Sequence, residues 1–309
     1  NSWYFEELIA TNPCAEQPLG ANAVCLLGSV NLLKHVDNGK INLPQLAQTV
    51  TLATRFLDNV IDRAYYYPSA EESEFIQQGL RRLGIGTMGL ADHLIARGLR
   101  YGSPEAVTQT EGVFRQIKEA SYVSSSYLAQ ERGAFPLFER DKYLQGKFIQ
   151  GLPRPVQTMI YENGIRNCFL TSQAPTGTIA KLAGVWAGIE PYFDRRTVLT
   201  NRLGTHEVVA PDSPYLVVAN EVSPEEHIEM VAAVQRHVDA AVSKTINAPE
   251  WQTPEETAKV YDLAYAKGLK SVAYYRDKSR QAQVQWHSKE EAESASECVA
   301  CEITPVAPL

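Results

Sequence analysis

Residues 11–20 read TNPCAEQPLG and set Asn12, Cys14 and Glu16 at alternate positions around Pro13. In extended backbone, alternate side chains project to one side, and the proline turns Asn12 away from helical backbone angles. The result is a thiol flanked by an amide able to hydrogen-bond a ligand and a carboxylate able to shuttle a proton. A neighbouring negative charge raises a thiol's pKa. That is a poor setting for an ionic cysteine nucleophile, and it does no harm to a thiol that gives up a hydrogen atom. A cysteine hydrolase or transferase would also require a histidine beside Cys14. Taken in isolation, a triplet of this kind is more often a buried structural cysteine in a turn.

Other segments offer further chemistry. Cys25 follows in AVCLLGSVNLL after Gly20-Ala21-Asn22, a turn signal that can fold it back towards Cys14; burial in the core is the alternative. In SQAPTGTIAKLAG, residues 172–184, Thr176, Gly177 and Thr178 offer hydroxyls and unhindered N–H groups where a short helix can begin, a possible anion cradle. The segment lacks the lysine and spacing of a P-loop, and a plain strand-to-helix turn explains it as well. GIGTMG, residues 84–89, fits a dinucleotide fingerprint on paper. The preceding EFIQQGLRRL reads as a helix rather than a strand, with no βαβ unit around it, so these glycines are expected to allow close helix packing. Cys298 and Cys301 in ECVACE are half a zinc set, but a workable dithiol for exchange with another disulfide, against the alternative of an inert tail. The six histidines, His35, His93, His206, His227, His237 and His287, show no metal-ligand spacing.

The elements that must position these residues follow from periodicity and caps. Leu43, Leu46, Val50, Ala53, Phe56, Leu57, Val60 and Ile61 keep a helical period behind a capping Asn42. Helical patterns also cover 71–82 and 104–131, while SPEE at 223 and TPEE at 253 open helices expected to end near 243 and at Gly268. NCFLTS at 167 and LKSVAYY at 269 read as buried strands, and the alternation argues for an α/β fold. SKEEAESASE, 288–297, is polar without an apolar period, which suggests a mobile tether for the dithiol. The expected division is therefore 1–280 as a folded unit and 281–309 as a flexible tail.

Composition bounds the partners. The chain has 309 residues, 44% hydrophobic and 21% charged, as expected of a globular protein, with a net charge of −7 and no basic run. It carries no footprint for a nucleic-acid polymer. No apolar run reaches the ~18 residues of a membrane span and no secretory leader is recognisable, so a reducing cytoplasm is expected. Five cysteines in such a length do not form a disulfide framework. The opening NSWYFEELIA lacks a Met and reads as the middle of an amphipathic segment, which leads to the expectation of a fragment or the second piece of a split protein.

Taken together, NPCAEQPL, CLLGSVNL, RRLGIGTMGLADHL, GIRNCFLTSQAPTGTIA, GIEPYF, VDAAVSKTIN and GLKSVAYYRDKSR resemble, in order, the catalytic chain of the ribonucleotide reductases, closer to the adenosylcobalamin-dependent class than to the di-metal class. The resemblance implies the C-terminal part of a ten-stranded α/β barrel with a central finger loop carrying the first motif, plus a flexible tail. By similarity, Cys14 is the thiyl radical that takes the ribose 3′ hydrogen, Glu16 receives the 3′-hydroxyl proton and Asn12 hydrogen-bonds the substrate. Cys25 is one of two reducing thiols, its partner lying upstream of this chain. Ala174, Pro175, Thr176, Gly177, Thr178 and Ile179 hold the substrate phosphates, and Cys298 and Cys301 re-reduce the spent disulfide. The implied cofactor is adenosylcobalamin, or else a radical delivered by a separate di-metal subunit. The implied partners are a ribonucleotide, most often a diphosphate, an N-terminal part or companion chain, a thioredoxin-like reductant and a second copy in a homodimer. Leu26, Cys168 and Lys278 depart from the family pattern, where Asn, a hydroxyl residue and Gly are usual, and the adjacent Tyr274-Tyr275 is a di-metal trait.

Overall fold

A computed structural model describes residues 1–201, 204–277, 279 and 285–286. Lys278, Cys298, Cys301, the expected 280/281 boundary and nearly all of the expected tail lie outside the described residues.

Helices form where apolar period and capping residue coincide. Asn42 accepts the Gln45 N–H at 3.0 Å, and the helix Leu43–Arg63 that follows buries Leu46, Val50, Leu57 and Ile61. Ser223 and Thr253 close capping boxes with Glu226 and Glu256, opening Pro224–Gln235 and Pro254–Ala266. The patterns at 71–82 and 104–131 fold as Glu71–Leu80 and Pro104–Arg132. One end differs: the helix opened by SPEE stops at Gln235, well short of 243. The Gln235 amide donates to the Val238 and Ala240 carbonyls at 3.0 and 3.4 Å. The Asp239 carboxylate accepts the N–H groups of Leu170 and Thr171, each at 2.8 Å. These tertiary bonds outweigh the apolar pattern that continues through Val238 and Val242.

The strands that carry the site run parallel. Leu27–Asn31 pairs with Gly84–Met88 from Leu27↔Gly84 to Asn31↔Met88. On the far side of Gly84–Met88 lies the extended run containing Thr171, which bridges Ile85, and Gln173, which bridges Val242. Beyond Val242 the chain enters Thr245–Ala248, parallel to Ala273–Arg276. The result is an open arc of parallel segments. Among the described residues no sheet closes, so the fold is mixed α/β and the expected ten-stranded closure is not seen. NCFLTS joins this arc through isolated bridges rather than a continuous ladder.

GIGTMG departs from its expectation. The helix Glu71–Leu80 ends at Arg81 in left-handed backbone, and Gly84–Met88 is a buried strand. Leu27–Asn31, Leu43–Arg63 and Gly84–Met88 therefore make the strand–helix–strand unit that the sequence did not reveal.

Helices cover one face of the arc. Leu43–Arg63 packs on Pro104–Arg132, which also meets Arg154–Asn163 and Pro224–Gln235 around a core that includes Leu46, Phe114, Leu170 and Val234. Arg196–Asn201, Gly204–Val209 and Gln285–Trp286 form a separate antiparallel sheet that, among the described residues, pairs with no strand of the arc. Among the described residues no helix is long and apolar enough to cross a membrane.

Candidate active site

Ala10–Thr11 pairs antiparallel with Pro18–Leu19, leaving residues 12–17 as the tip of a hairpin. Asn12 closes this tip. Its carbonyl accepts the Ala15 N–H at 3.0 Å, its N–H donates to the Gln17 carbonyl at 3.2 Å, and its Oδ1 accepts the Gln17 N–H at 3.0 Å. Ala15 takes a φ of 63° to complete the reversal. The three side chains accordingly do not project to one side as extended backbone would have them: Cys14 is exposed, whereas Glu16 is 2% exposed. Asparagine's ability to mimic a backbone turn overrides the strand geometry expected of alternate positions.

Glu16 is fixed by its own backbone. Its carbonyl accepts the Ser172 hydroxyl at 2.8 Å and the Ala241 N–H at 2.9 Å, so the tip is fastened to two neighbouring segments of the arc. Its Oε2 is buried without a hydrogen-bond partner, as are both amide atoms of Gln17.

The thiols respond to this carboxylate. Burial pushes the Cys14 pKa up, and the Glu16 charge pushes it further in the same direction. Cys25 is also raised, first by burial and then by Glu16, with the Arg82 guanidinium acting the other way. One carboxylate thus lies within electrostatic reach of two free thiols, Cys14 exposed and Cys25 half-buried. Cys25 gets there by the expected turn: the Ala23 N–H meets the Gly20 carbonyl at 3.4 Å and Asn22 has a φ of 56°.

Two features that position the hairpin are not evident in the sequence. Arg82, almost fully buried, donates to the Pro18 carbonyl at 3.1 Å, pairs with Glu6 and lies 4.5 Å over the Phe169 ring; Glu6 in turn accepts the Gly20 N–H at 3.1 Å. Glycines supply the second. A Cβ on Gly84 would stand 2.5 Å from both Gln17 Nε2 and Leu27 Cδ2, and one on Gly86 2.3 Å from the Ser172 carbonyl oxygen. The opposite face of the neighbouring strand meets a helix, since a Cβ on Gly28 would lie 3.0 Å from Leu57. The hairpin therefore sits on the face opposite that helix, and the glycines of GIGTMG permit a close approach of backbone to backbone.

The loop 174–179 begins where this fastening ends. Gln173 accepts the Thr87 N–H and hydroxyl at 3.0 Å and donates to the Thr87 and Ala174 carbonyls at 2.9 Å, which stitches Ala174 to the strand Gly84–Met88. Thr176 then caps the short helix Gly177–Leu182, whose first residues, Gly177, Thr178 and Ile179, are exposed. Their N–H groups have no partner within a first helical turn. The expected helix start is present, and the contact of Glu16 with Ser172 brings the hairpin to its base.

Cys168 belongs elsewhere. It is fully buried in the main core, its thiol pushed up to about 12 chiefly by burial, while its carbonyl accepts the Tyr143 hydroxyl at 3.0 Å. It is a packing residue rather than a thiol serving the loop. Tyr274 and Tyr275 sit on one strand and so face opposite ways; the Tyr274 hydroxyl meets that of Thr257 at 3.0 Å.

These elements define an α/β protein whose thiol-bearing hairpin rests against an arc of parallel strands beside a threonine-glycine helix start. Residues 1–213 and 204–275 match the family model described as ribonucleotide reductase, barrel domain, and the chain belongs to that family. It is 37% identical to a vitamin B12-dependent ribonucleoside-diphosphate reductase of Mycobacterium tuberculosis (strain CDC 1551 / Oshkosh), over 89% of this chain and 42% of that protein. Its identity to the vitamin B12-dependent ribonucleoside-diphosphate reductase of Thermoplasma acidophilum is 34%, over 90% of this chain and 39% of the relative. A ribonucleoside-diphosphate reductase subunit alpha of Chlamydia pneumoniae is 28% identical over 87% of this chain and 31% of its own length. The chain thus spans about two-fifths of the length of the first two relatives.

Proposed function

We propose that this chain is the C-terminal catalytic portion of an adenosylcobalamin-dependent ribonucleotide reductase that converts ribonucleoside diphosphates to 2′-deoxyribonucleotides for DNA precursor synthesis. The observation that carries this is the placement of Glu16, which is felt by both Cys14 and Cys25 while its backbone is fastened to Ser172 at the base of the loop 174–179.

Each residue then has a task that suits its setting. Cys14, exposed at the hairpin tip and kept protonated, gives up a hydrogen atom to become a thiyl radical, takes the 3′ hydrogen of the ribose, and returns one when the reduction is complete. Glu16 accepts the 3′-hydroxyl proton, and its unpartnered Oε2 leaves it capacity to do so. Asn12 binds the substrate through its Nδ2, its Oδ1 being committed to the turn. Cys25 and an upstream thiol supply two electrons and two protons as the 2′-hydroxyl leaves as water, and end as a disulfide. Cys298 and Cys301 reduce that disulfide by exchange and are themselves re-reduced by a thioredoxin-like partner. Gly177, Thr178 and Ile179 offer exposed first-turn N–H groups to the phosphates, with Ala174, Pro175 and the buried Thr176 completing the cradle.

The exposed free thiol of Cys14 at the hairpin tip fits a cofactor that works by one-electron chemistry. When bound, adenosylcobalamin would supply that chemistry by homolysis of its cobalt–carbon bond, and Cys14 would be the residue that receives the radical. The adjacent Tyr274 and Tyr275 favour a second reading, the large subunit of a di-metal reductase. The higher identity to the vitamin B12-dependent relatives favours the first.

The parallel arc is read as part of a ten-stranded barrel completed by an N-terminal part of the same enzyme, in a homodimer. The deciding experiment is turnover of ribonucleoside diphosphate by the complete enzyme with adenosylcobalamin. Cys14→Ser should abolish deoxynucleotide formation; retained turnover refutes the proposal.

A further inference from the structure

The contacts that hold Thr176 lead back to a carboxylate with no part in the chemistry above. Asp92, buried on the helix Leu90–Ala96, accepts the Trp186 N–H on Oδ2 and the Tyr192 hydroxyl on Oδ1, both at 2.7 Å. The two rings stack with centroids 4.6 Å apart, and the Trp186 indole donates to the Pro191 carbonyl at 2.6 Å. One carboxylate therefore fastens both ends of the loop 186–192. That loop is tied to the end of the strand Gly84–Met88 as well: the Gly89 N–H donates to Trp186 at 2.9 Å and the Leu90 N–H to Gly188 at 3.3 Å.

Gly188 sits in the middle of this loop with a φ of 49°, and its N–H donates to Thr176 Oγ1 at 2.7 Å. A Cβ there would lie 3.1 Å from the carbonyl oxygens of Ala174 and Pro175, so the loop is the wall against which residues 174–176 rest. Thr176 itself has a φ of 58°, a left-handed conformation that β-branched residues adopt only when their surroundings impose it. Because its oxygen accepts from Gly188, the hydroxyl hydrogen is the group left to donate to a ligand.

We infer that Asp92 is a positioning residue for the phosphate loop, acting through Trp186, Tyr192 and Gly188 to hold Thr176 with its hydroxyl presented to a phosphate oxygen; this rests on the phosphate-binding role proposed above for residues 174–179. Asp92 touches no substrate in this scheme.

The test compares, in the complete enzyme, the Kd of a ribonucleoside diphosphate with that of the matching ribonucleoside. Asp92→Asn keeps the shape but replaces one acceptor oxygen by a donor, so one of the two ties is lost. The diphosphate Kd should rise about five- to tenfold and the ribonucleoside Kd by less than about twofold. Tyr192→Phe, which loses only one hydroxyl, should shift the diphosphate in the same direction and serves if Asp92→Asn does not fold. Combining Asp92→Asn with Thr176→Ala should weaken the diphosphate by less than the product of the single effects, because both act on one contact. Equal weakening of diphosphate and ribonucleoside, unchanged diphosphate affinity, or a multiplicative double variant overturns the role of Asp92. A wild-type enzyme that binds the diphosphate no better than the ribonucleoside overturns the loop's phosphate role instead, which is a separable result.

Discussion

The Ser172 hydroxyl donates to the Glu16 carbonyl at 2.8 Å, joining residues 156 positions apart in the chain. This contact fixes the height of the hairpin tip over the arc. Ser172→Ala leaves a buried carbonyl with one partner fewer and should cost about 1 kcal/mol in chemical denaturation. Turnover should fall about tenfold or more, because the tip is placed by this contact and catalysis is sensitive to small displacements. Unchanged turnover together with unchanged stability would show that the Ala241 N–H alone places the tip.

The thiols should ionise late. With both Cys14 and Cys25 raised by burial and by Glu16, alkylation by iodoacetamide should be slow at neutral pH and should climb as pH passes the ordinary thiol range. Glu16→Gln removes the negative charge that both sulfurs feel, so their pKa values fall and alkylation at a fixed pH speeds up, while nucleotide reduction is lost. Alkylation rates that do not respond to this substitution would contradict the electrostatic link.

Glycine positions 84 and 86 should tolerate nothing larger. At Gly86 the obstacle is the Ser172 backbone oxygen, which cannot swing aside; at Gly84 the nearest atoms are the ends of Gln17 and Leu27, which can give a little, with the Ser172 Cβ behind them at 2.9 Å. Gly86→Ala should therefore destabilise by roughly 2–3 kcal/mol and Gly84→Ala by about half that. Urea midpoints of the two variants check the order, and a milder effect at Gly86 would count against the close approach described here.

Asp58 holds the helix layer to the end of the strand run from beneath. Its Oδ1 accepts from Arg81 and Asn167, each at 2.9 Å, and its Oδ2 from Arg166 at 3.3 Å, all with no exposure of the carboxylate. Asp58→Ala leaves Arg81 with only Asp62, at 2.8 Å, and Arg166 without a carboxylate, and should cost about 3 kcal/mol. A loss below about 1 kcal/mol in equilibrium unfolding would mean that the arginines find other partners.

Acid should act partly through histidine. His93 is fully buried, and burial, with the Arg97 charge beside it, lowers its pKa to about 4. A group whose folded pKa is depressed takes up protons first in the unfolded chain, so its share of stability is present above about pH 6.5 and is lost as pH falls towards 4. The loss amounts to about 3 kcal/mol by pH 4. His93→Gln should flatten the unfolding free energy across this window, and an unchanged slope would assign acid sensitivity to other groups.

How much of this was legible depended on whether the determinant was local. Asn42, Ser223 and Thr253 announce their helices because a cap and its N–H partner lie within one turn. The strand Gly84–Met88 was missed because glycine has little strand preference, and its pairing with Leu27–Asn31 is visible only across the helix between them. At the site, the residue types of Asn12, Cys14 and Glu16 suggested the chemistry proposed above, while their arrangement did not follow from spacing, since Asn12 bends the chain on itself. Ser172, Asp92 and Arg82 act through distant backbone groups and leave no local pattern.

The closed tip around Asn12 also bears on the proposed encounter with a ribonucleotide. Cross-linked by Asn12 to both Ala15 and Gln17 and riveted at Glu16, this segment has already surrendered most of its conformational entropy during folding. Under the proposed function, little disorder would remain to be frozen out when a nucleotide arrives, and the Cys14 sulfur would be held at a constant distance through repeated turnovers.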